Sequence, residues 1–189
     1  KQRDILRGTS TLADDAAVRA AYLGADGLVA GLRAGTVVAD TSTVDPATIR
    51  ALGDDVARVG ATLIDTPVSG SVSSVQSGKL LVMAGGDEAA LARAQPVLAA
   101  FASRIISLGP LGSGVTMKLV VNSMVHGLNA ALAEALVLAE KAGVVRSAAY
   151  EVIASSAVAA PFVLYKRAAY ENPDDIPVAF ALDLVAKDL

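Results

Sequence analysis

Cysteine is absent from the 189 residues and histidine occurs once. No disulfide, thiolate nucleophile or cysteine-ligated metal is therefore available, and one imidazole cannot make a histidine cluster, so a metal-free protein is expected. A chain without disulfides fits a reducing compartment, and the expected location is cytoplasmic. Charge of one sign is also lacking. The formal net charge is −3, with acidic and basic residues mixed along the chain, which excludes the electrostatic footprint of a nucleic-acid partner. An unbroken apolar run of about 20 residues, the length a membrane helix needs, is missing too. Lys118, Asn122, His126, Asn129, Glu134 and Glu140 interrupt the longest apolar region, and no membrane span is expected. No internal repeat of fixed period is present, which argues against a repeat architecture. The chain opens Lys1-Gln-Arg rather than with methionine; this reads as a lost natural start, with any targeting segment lost alongside it.

What the chain does contain is enough length for one large or two small cores. Its first part alternates between short β-rich runs and stretches of helical periodicity. The runs are Thr36–Ala39, Ala61–Ile64, Lys79–Met83 and Arg104–Ser107. Asp45-Pro46 marks a helix start, with the aspartate as N-cap and the proline at the first helical position, and Gly60 marks its end. A second helix is expected from Asp87 toward Phe101, kinked or broken midway by Pro96. Strands alternating with helices predict an α/β layer with a largely parallel sheet.

The pattern changes after Gly109-Pro110-Leu111-Gly112. From Val115 to about Ala142 apolar residues dominate nearly all round, which predicts a long buried helix. Helices around Ser147–Ser155 and Pro161–Tyr170, broken near Asn172-Pro173, make the second half all-helical. The expected organisation is a domain over residues 1–112 and a helical domain over 113–189. A helix apolar on every side needs partners, so a homodimer or larger homo-oligomer is expected.

Gly112-Ser-Gly114-Val-Thr-Met-Lys118-Leu-Val-Val-Asn122 is the segment richest in chemical implication. Residues four apart stack on one helix face, so the Lys118 ammonium and the Asn122 carboxamide can converge on one small polar ligand. Lys118 lies within about two turns of a helix start near Ser113, where the positive end of the helix dipole eases loss of its proton. Such a lysine suits general acid and base chemistry at a carbonyl or hydroxyl. The same residues also fit an exposed lysine with an asparagine beside it. Asp40-Thr-Ser-Thr43 places hydroxyls just after a strand, where open α/β sheets bind ligands; alternatively Ser42 and Thr43 only help to start the helix at Asp45. Asp65-Thr-Pro-Val-Ser69-Gly70-Ser71 follows the next strand, and Ser69 with Gly70 offers a hydroxyl and backbone N–H groups to an anion such as a carboxylate. Taken alone, that segment is also an ordinary loop. His126 reads as a core or supporting histidine, because no G-x-S-x-G nucleophile elbow accompanies it.

Five motifs occur in order: Asp40-Thr-Ser-Thr43-x-x-Pro46, Asp65-x-Pro-Val-Ser-Gly70, Gly78-x-Leu80-x-x-Met83-x-Gly85-Gly86, Gly112-x-Gly114-x-x-x-Lys118-x-x-x-Asn122, and Phe180-x-Leu-x-Leu-x-x-Lys187-Asp-Leu189. Together they resemble the β-hydroxyacid dehydrogenase family, and more distantly 6-phosphogluconate dehydrogenase. The resemblance implies an incomplete Rossmann-like parallel-sheet domain binding NAD or NADP, followed by a helical dimerisation and substrate domain. It implies hydride transfer between that cofactor and a small β-hydroxyacid or its semialdehyde, a small-molecule carboxylate substrate. Lys118 matches the family's general acid and base, and Asn122 the residue that orients the reacting oxygen. Ser69 and Gly70 match the substrate-carboxylate loop. Leu12, Ala13 and Thr43 match positions beside the dinucleotide, and Lys187 a position at the cofactor and substrate cleft.

Several features depart from the family. No G-x-G-x-x-G occurs near the start, which reads as a missing front; residues 1–11 follow the family poorly; and the helical half reads as cut after Leu189. Ser71 and Val75 stand where the family usually has glycine and alanine. The alternatives are an imine reductase-like enzyme, a group that by resemblance usually carries another residue in place of Lys118, and a noncatalytic binding or assembly module.

Overall fold

A computed structural model describes residues 9–10, 12–70, 72–172, 174–176 and 182–188. In chain order the elements are β1 (Thr9–Ser10), α1 (Asp15–Leu23), α2 (Leu28–Gly31), β2 (Val37–Asp40), α3 (Pro46–Arg58), β3 (Thr62–Asp65), β4 (Val68–Ser69), α4 (Val72–Gln76), β5 (Leu80–Ala84), α5 (Glu88–Leu98), β6 (Ala102–Ser107), α6 (Ser113–Lys141), α7 (Arg146–Ala154), α8 (Pro161–Glu171) and α9 (Leu182–Asp188). Contacts divide the chain into two compact units, Lys1–Val120 with Asp188, and Val121–Lys187.

In the first unit, β1, β2 and β3 pair in parallel, with Thr9 opposite Ala39 and Val38 opposite Leu63. β5 and β6 also pair in parallel, while β4 runs antiparallel to β5 with Val68 opposite Val82. Asp65 and Gly85 continue that antiparallel register through a bridge, each main-chain N–H donating to the other's carbonyl at 3.0 and 2.8 Å. β3 and β4 are therefore two halves of one extended run, parallel to β2 on one side and antiparallel to β5 on the other. The sheet is parallel on both sides of that single reversal.

Side-chain alternation along β2 separates two layers, as the two-residue period of a strand requires. Val38 packs with Val18, Tyr22, Ile49, Leu52 and Val56 of α1 and α3, whereas Val37 and Ala39 pack with Val82, Ala90, Ala94 and Leu98. Helices thus cover both faces, the arrangement expected of an α/β layer. α3 starts as its sequence directs: the Asp45 carboxylate accepts from Ala47 N at 2.7 Å, and Pro46 fills the first turn. Of the kink or break expected at Pro96, the break does not occur in α5. The helix runs unbroken to Leu98, with the proline in its last turn. A proline removes one N–H donor, and burial of Ala94 and Leu98 against the sheet holds that turn in place.

In the second unit, Leu132 and Leu136 pack with Ala149, Tyr150 and Val163. The Tyr150 hydroxyl donates to Val163 O at 2.5 Å, and burial pushes its pKa up. Arg146 grips both oxygens of Glu140 at 2.6 and 2.7 Å and also donates to Tyr170 O at 3.1 Å.

α6 departs from two expectations. Over its 29 residues it is long and apolar enough to cross a membrane by length and composition, whereas no such stretch was expected. Nor is it buried along its length: Met124 is 73% and Leu138 71% exposed in the single chain. The neighbouring helices α7 and α8 pack against Leu132 and Leu136 and cover only part of its circumference. The polar residues at 118, 122, 126, 129, 134 and 140 recur along it, and its first turn is fastened to Asp65 of the sheet.

Candidate active site

β2 and β3 each end in an aspartate, and Asp40 lies opposite Asp65 in the parallel register. Both are completely buried. A buried carboxylate demands donors, and each aspartate obtains them by fastening a different segment to the carboxyl edge of the sheet.

Asp40 accepts from the Tyr22 hydroxyl at 2.9 Å and from Ser42 N at 2.8 Å. Ser42 Oγ in turn accepts from Leu12 N at 3.0 Å. The segment holding Leu12 and Ala13, which follows β1, is thereby tied to the segment holding Thr43, which follows β2. These loops leave the carboxyl ends of adjacent parallel strands, the crevice where open α/β sheets bind nucleotides. The Ser42 hydroxyl serves Leu12, while Asp45 caps α3.

Asp65 serves the other segment. Its Oδ1 accepts from Gly112 N at 2.8 Å and its Oδ2 from Val115 N at 2.7 Å, both at the start of α6. Burial pushes the Asp65 carboxyl above its ordinary value of 3.8, against the opposing pull of the Gly112 and Val115 N–H groups. Gly114 makes the close approach possible: a Cβ there would fall 2.4 Å from Met83 O and 2.9 Å from Asp65 Oδ2. Val115 is fully buried in the core with Val44 and Leu52. Lys118 follows one turn later and is half-buried. The positive end of the α6 dipole is therefore faced by the Asp65 carboxyl group.

Ser69 ends β4 opposite Leu81 and is half-buried. Gly70 follows with φ +149°, and a Cβ there would meet the Leu80 side chain at 2.7 Å, so glycine is required. Asp65 therefore joins Ser69 and Gly70, four and five residues along its own strand run, to the helix that carries Lys118. Asn122 and His126 lie on α6 and Lys187 on α9, all in the second unit and all half-buried. Ser71, residues 1–8 and 11, Phe180 and Leu189 lie outside the described residues. Among the described residues no group of three or more metal-ligating side chains is placed to hold a metal ion.

Tyr22, Asp40 and Asp65 received no role from the sequence. One signal pointed to the two acids. Val37-Val-Ala-Asp40 and Thr62-Leu-Ile-Asp65 each close an apolar strand with a carboxylate, which must then find buried donors.

Two family models match, the NAD-binding domain of 6-phosphogluconate dehydrogenase over residues 9–109 and the NAD-binding domain of NADP-dependent 3-hydroxyisobutyrate dehydrogenase over residues 112–189. The chain is 35% identical to 2-(hydroxymethyl)glutarate dehydrogenase of Eubacterium barkeri over 88% of this chain and 55% of that protein. Its fold matches the crystal structure of 3-hydroxyisobutyrate dehydrogenase from Salmonella typhimurium with a TM-score of 0.88 and 29% identity, over 98% of this chain and 64% of that one. An imine reductase from Streptomyces aurantiacus matches with a TM-score of 0.64 at 20% identity, over 92% of this chain and 56% of that one, a likeness of fold alone. The chain spans about half the length of the curated relatives it matches.

Proposed function

The chain belongs to the β-hydroxyacid dehydrogenase family, and from that premise we propose that it serves an NAD(P)-dependent oxidoreductase acting on a small β-hydroxyacid or its semialdehyde. The observation that carries this is the pair of fastened segments at the carboxyl edge of the sheet. One presents Leu12, Ala13 and Thr43; the other couples Ser69 and Gly70 to the Lys118 helix.

The donor set suits a dinucleotide. Leu12, Ala13 and Thr43 would lie beside it at the strand ends, with Lys187 as a further contact by family resemblance, and a bound nicotinamide would supply or accept the hydride. Ser69 Oγ and Gly70 N–H hold the substrate carboxylate. Lys118 Nζ gives its proton to the substrate carbonyl oxygen in reduction and takes the hydroxyl proton in oxidation. Asn122, one helical turn on from Lys118, orients that oxygen.

Homo-oligomerisation belongs to the same proposal, since it would cover the exposed apolar positions of α6 such as Met124 and Leu138, as does a cytoplasmic location. The test of the reaction is consumption of NADH and NADPH, separately, by the full-length natural protein against a panel of small semialdehydes, with identification of the alcohol formed. Formation of a β-hydroxyacid supports the proposal. Cofactor binding without turnover on any carbonyl would replace it with a noncatalytic role.

A further inference from the structure

We propose that Asp65 is a positioning residue that sets the separation between the substrate-carboxylate segment Ser69–Gly70 and the proton-donating Lys118. This rests on the roles given above to those three residues.

Asp65 is held from both sides. Its main chain is locked to Gly85 by two reciprocal hydrogen bonds of 3.0 and 2.8 Å, and the same register carries the strand on to Ser69 opposite Leu81. Its side chain receives two backbone N–H groups on two different oxygens, at 2.8 and 2.7 Å. Neither oxygen can swing toward another partner without breaking a buried bond. The donors, Gly112 and Val115, bracket the first turn of α6, and Val115 stands about 4.5 Å along the helix axis from Lys118 at 1.5 Å per residue. No more than one helical turn separates the gripped amide from the proposed proton donor.

The chemistry of the grip selects aspartate. Two N–H groups converge on the side chain, so both of its terminal atoms must accept. A carboxylate meets that demand and also suits the positive helix end, whereas a carboxamide would turn an N–H₂ toward a backbone N–H. A side chain at Gly114 would put its Cβ 2.4 Å from Met83 O and push the helix start away, so the close approach depends on glycine. Displacement of reacting groups by about 1 Å can cost on the order of a hundredfold in rate, so loosening this grip should be visible in turnover.

The experiment compares the full-length natural protein with Asp65→Asn, using semialdehydes of increasing chain length and reporting turnover per folded molecule. The expected result is a kcat lower by about 10- to 100-fold, a KM for the best semialdehyde changed by less than about threefold, and weaker discrimination between chain lengths. A kcat within about twofold of the unsubstituted protein would overturn the role of Asp65 while leaving the functional proposal standing. Absence of lysine-dependent turnover in the unsubstituted protein would instead overturn the functional proposal, and this role with it. Should Asp65→Asn fail to fold, Asp65→Ser is measured in the same way. Hydrogen exchange on the unsubstituted protein gives an independent check: exchange at the Gly112 and Val115 amides as fast as at an uncapped helix end would overturn the grip.

Discussion

At Asp65 burial and hydrogen bonding act in opposite directions, and burial prevails, so the carboxyl holds its proton more tightly in the folded chain than in the unfolded one. Linkage then fixes a direction. As pH rises from the ordinary carboxylate value of 3.8 through the higher folded value, the folded state releases a proton it held preferentially, and the contribution of Asp65 to stability falls. The difference in unfolding free energy between the natural chain and Asp65→Asn should therefore shrink as pH rises through that window. A difference that grows would mean that the hydrogen bonds dominate. Asp40 poses a different demand, because its partner Tyr22 lies in α1 and its dependent Ser42 holds Leu12. Tyr22→Phe should lower stability by about 1–3 kcal/mol and weaken dinucleotide binding, since the Leu12 segment loses its indirect support. Chemical denaturation and calorimetric titration check the two effects. The sequence showed both acids in their motifs but not their work, because apart from Ser42 N their donors are main-chain or hydroxyl groups 18 to 50 residues away.

Among the elements, those whose instructions are local were legible in advance. α3 carries its cap, its proline and an apolar stripe at Ile49, Leu52 and Val56, and it forms where those residues predict. Lys118 and Asn122 were placed on one helix by spacing alone, and α6 puts them there. Outcomes set by neighbours were not legible. Pro96 does not break α5, because tertiary burial overrides a local penalty, and the reversal at β3–β4 depends on a pairing with β5 that no single strand encodes. Gly114 belongs with these, since its need for no side chain comes from Met83 O across the sheet. Gly114→Ala should displace the start of α6 and lower kcat along with thermal stability. Unchanged kcat and unchanged melting would contradict the close approach. In the helical unit, Leu136 is fully buried, and Leu136→Ala should cost about 2–5 kcal/mol in chemical denaturation of that unit.

For the whole molecule, α6 governs what a single chain leaves unfinished. A helix apolar nearly all round was expected to be buried, yet Met124, Leu138 and Val120 stand exposed in the isolated chain. Sequence periodicity reports how much apolar surface needs cover; it does not report which chain supplies it. Light scattering of the full-length natural protein at micromolar concentration should give a mass of at least two chains, and Met124→Glu together with Leu138→Glu should lower it. A single-chain mass from the unsubstituted protein would contradict self-association. Near the start of the same helix stands Lys118, proposed to move a proton while hydride passes to or from a nicotinamide. The most direct test is reduced-nicotinamide consumption by Lys118→Ala beside the unsubstituted full-length protein, with dinucleotide affinity measured on both. The expected result is turnover lower by about 10²–10⁴-fold at unchanged dinucleotide affinity and folding; turnover equal in the two proteins would overturn the role proposed for Lys118.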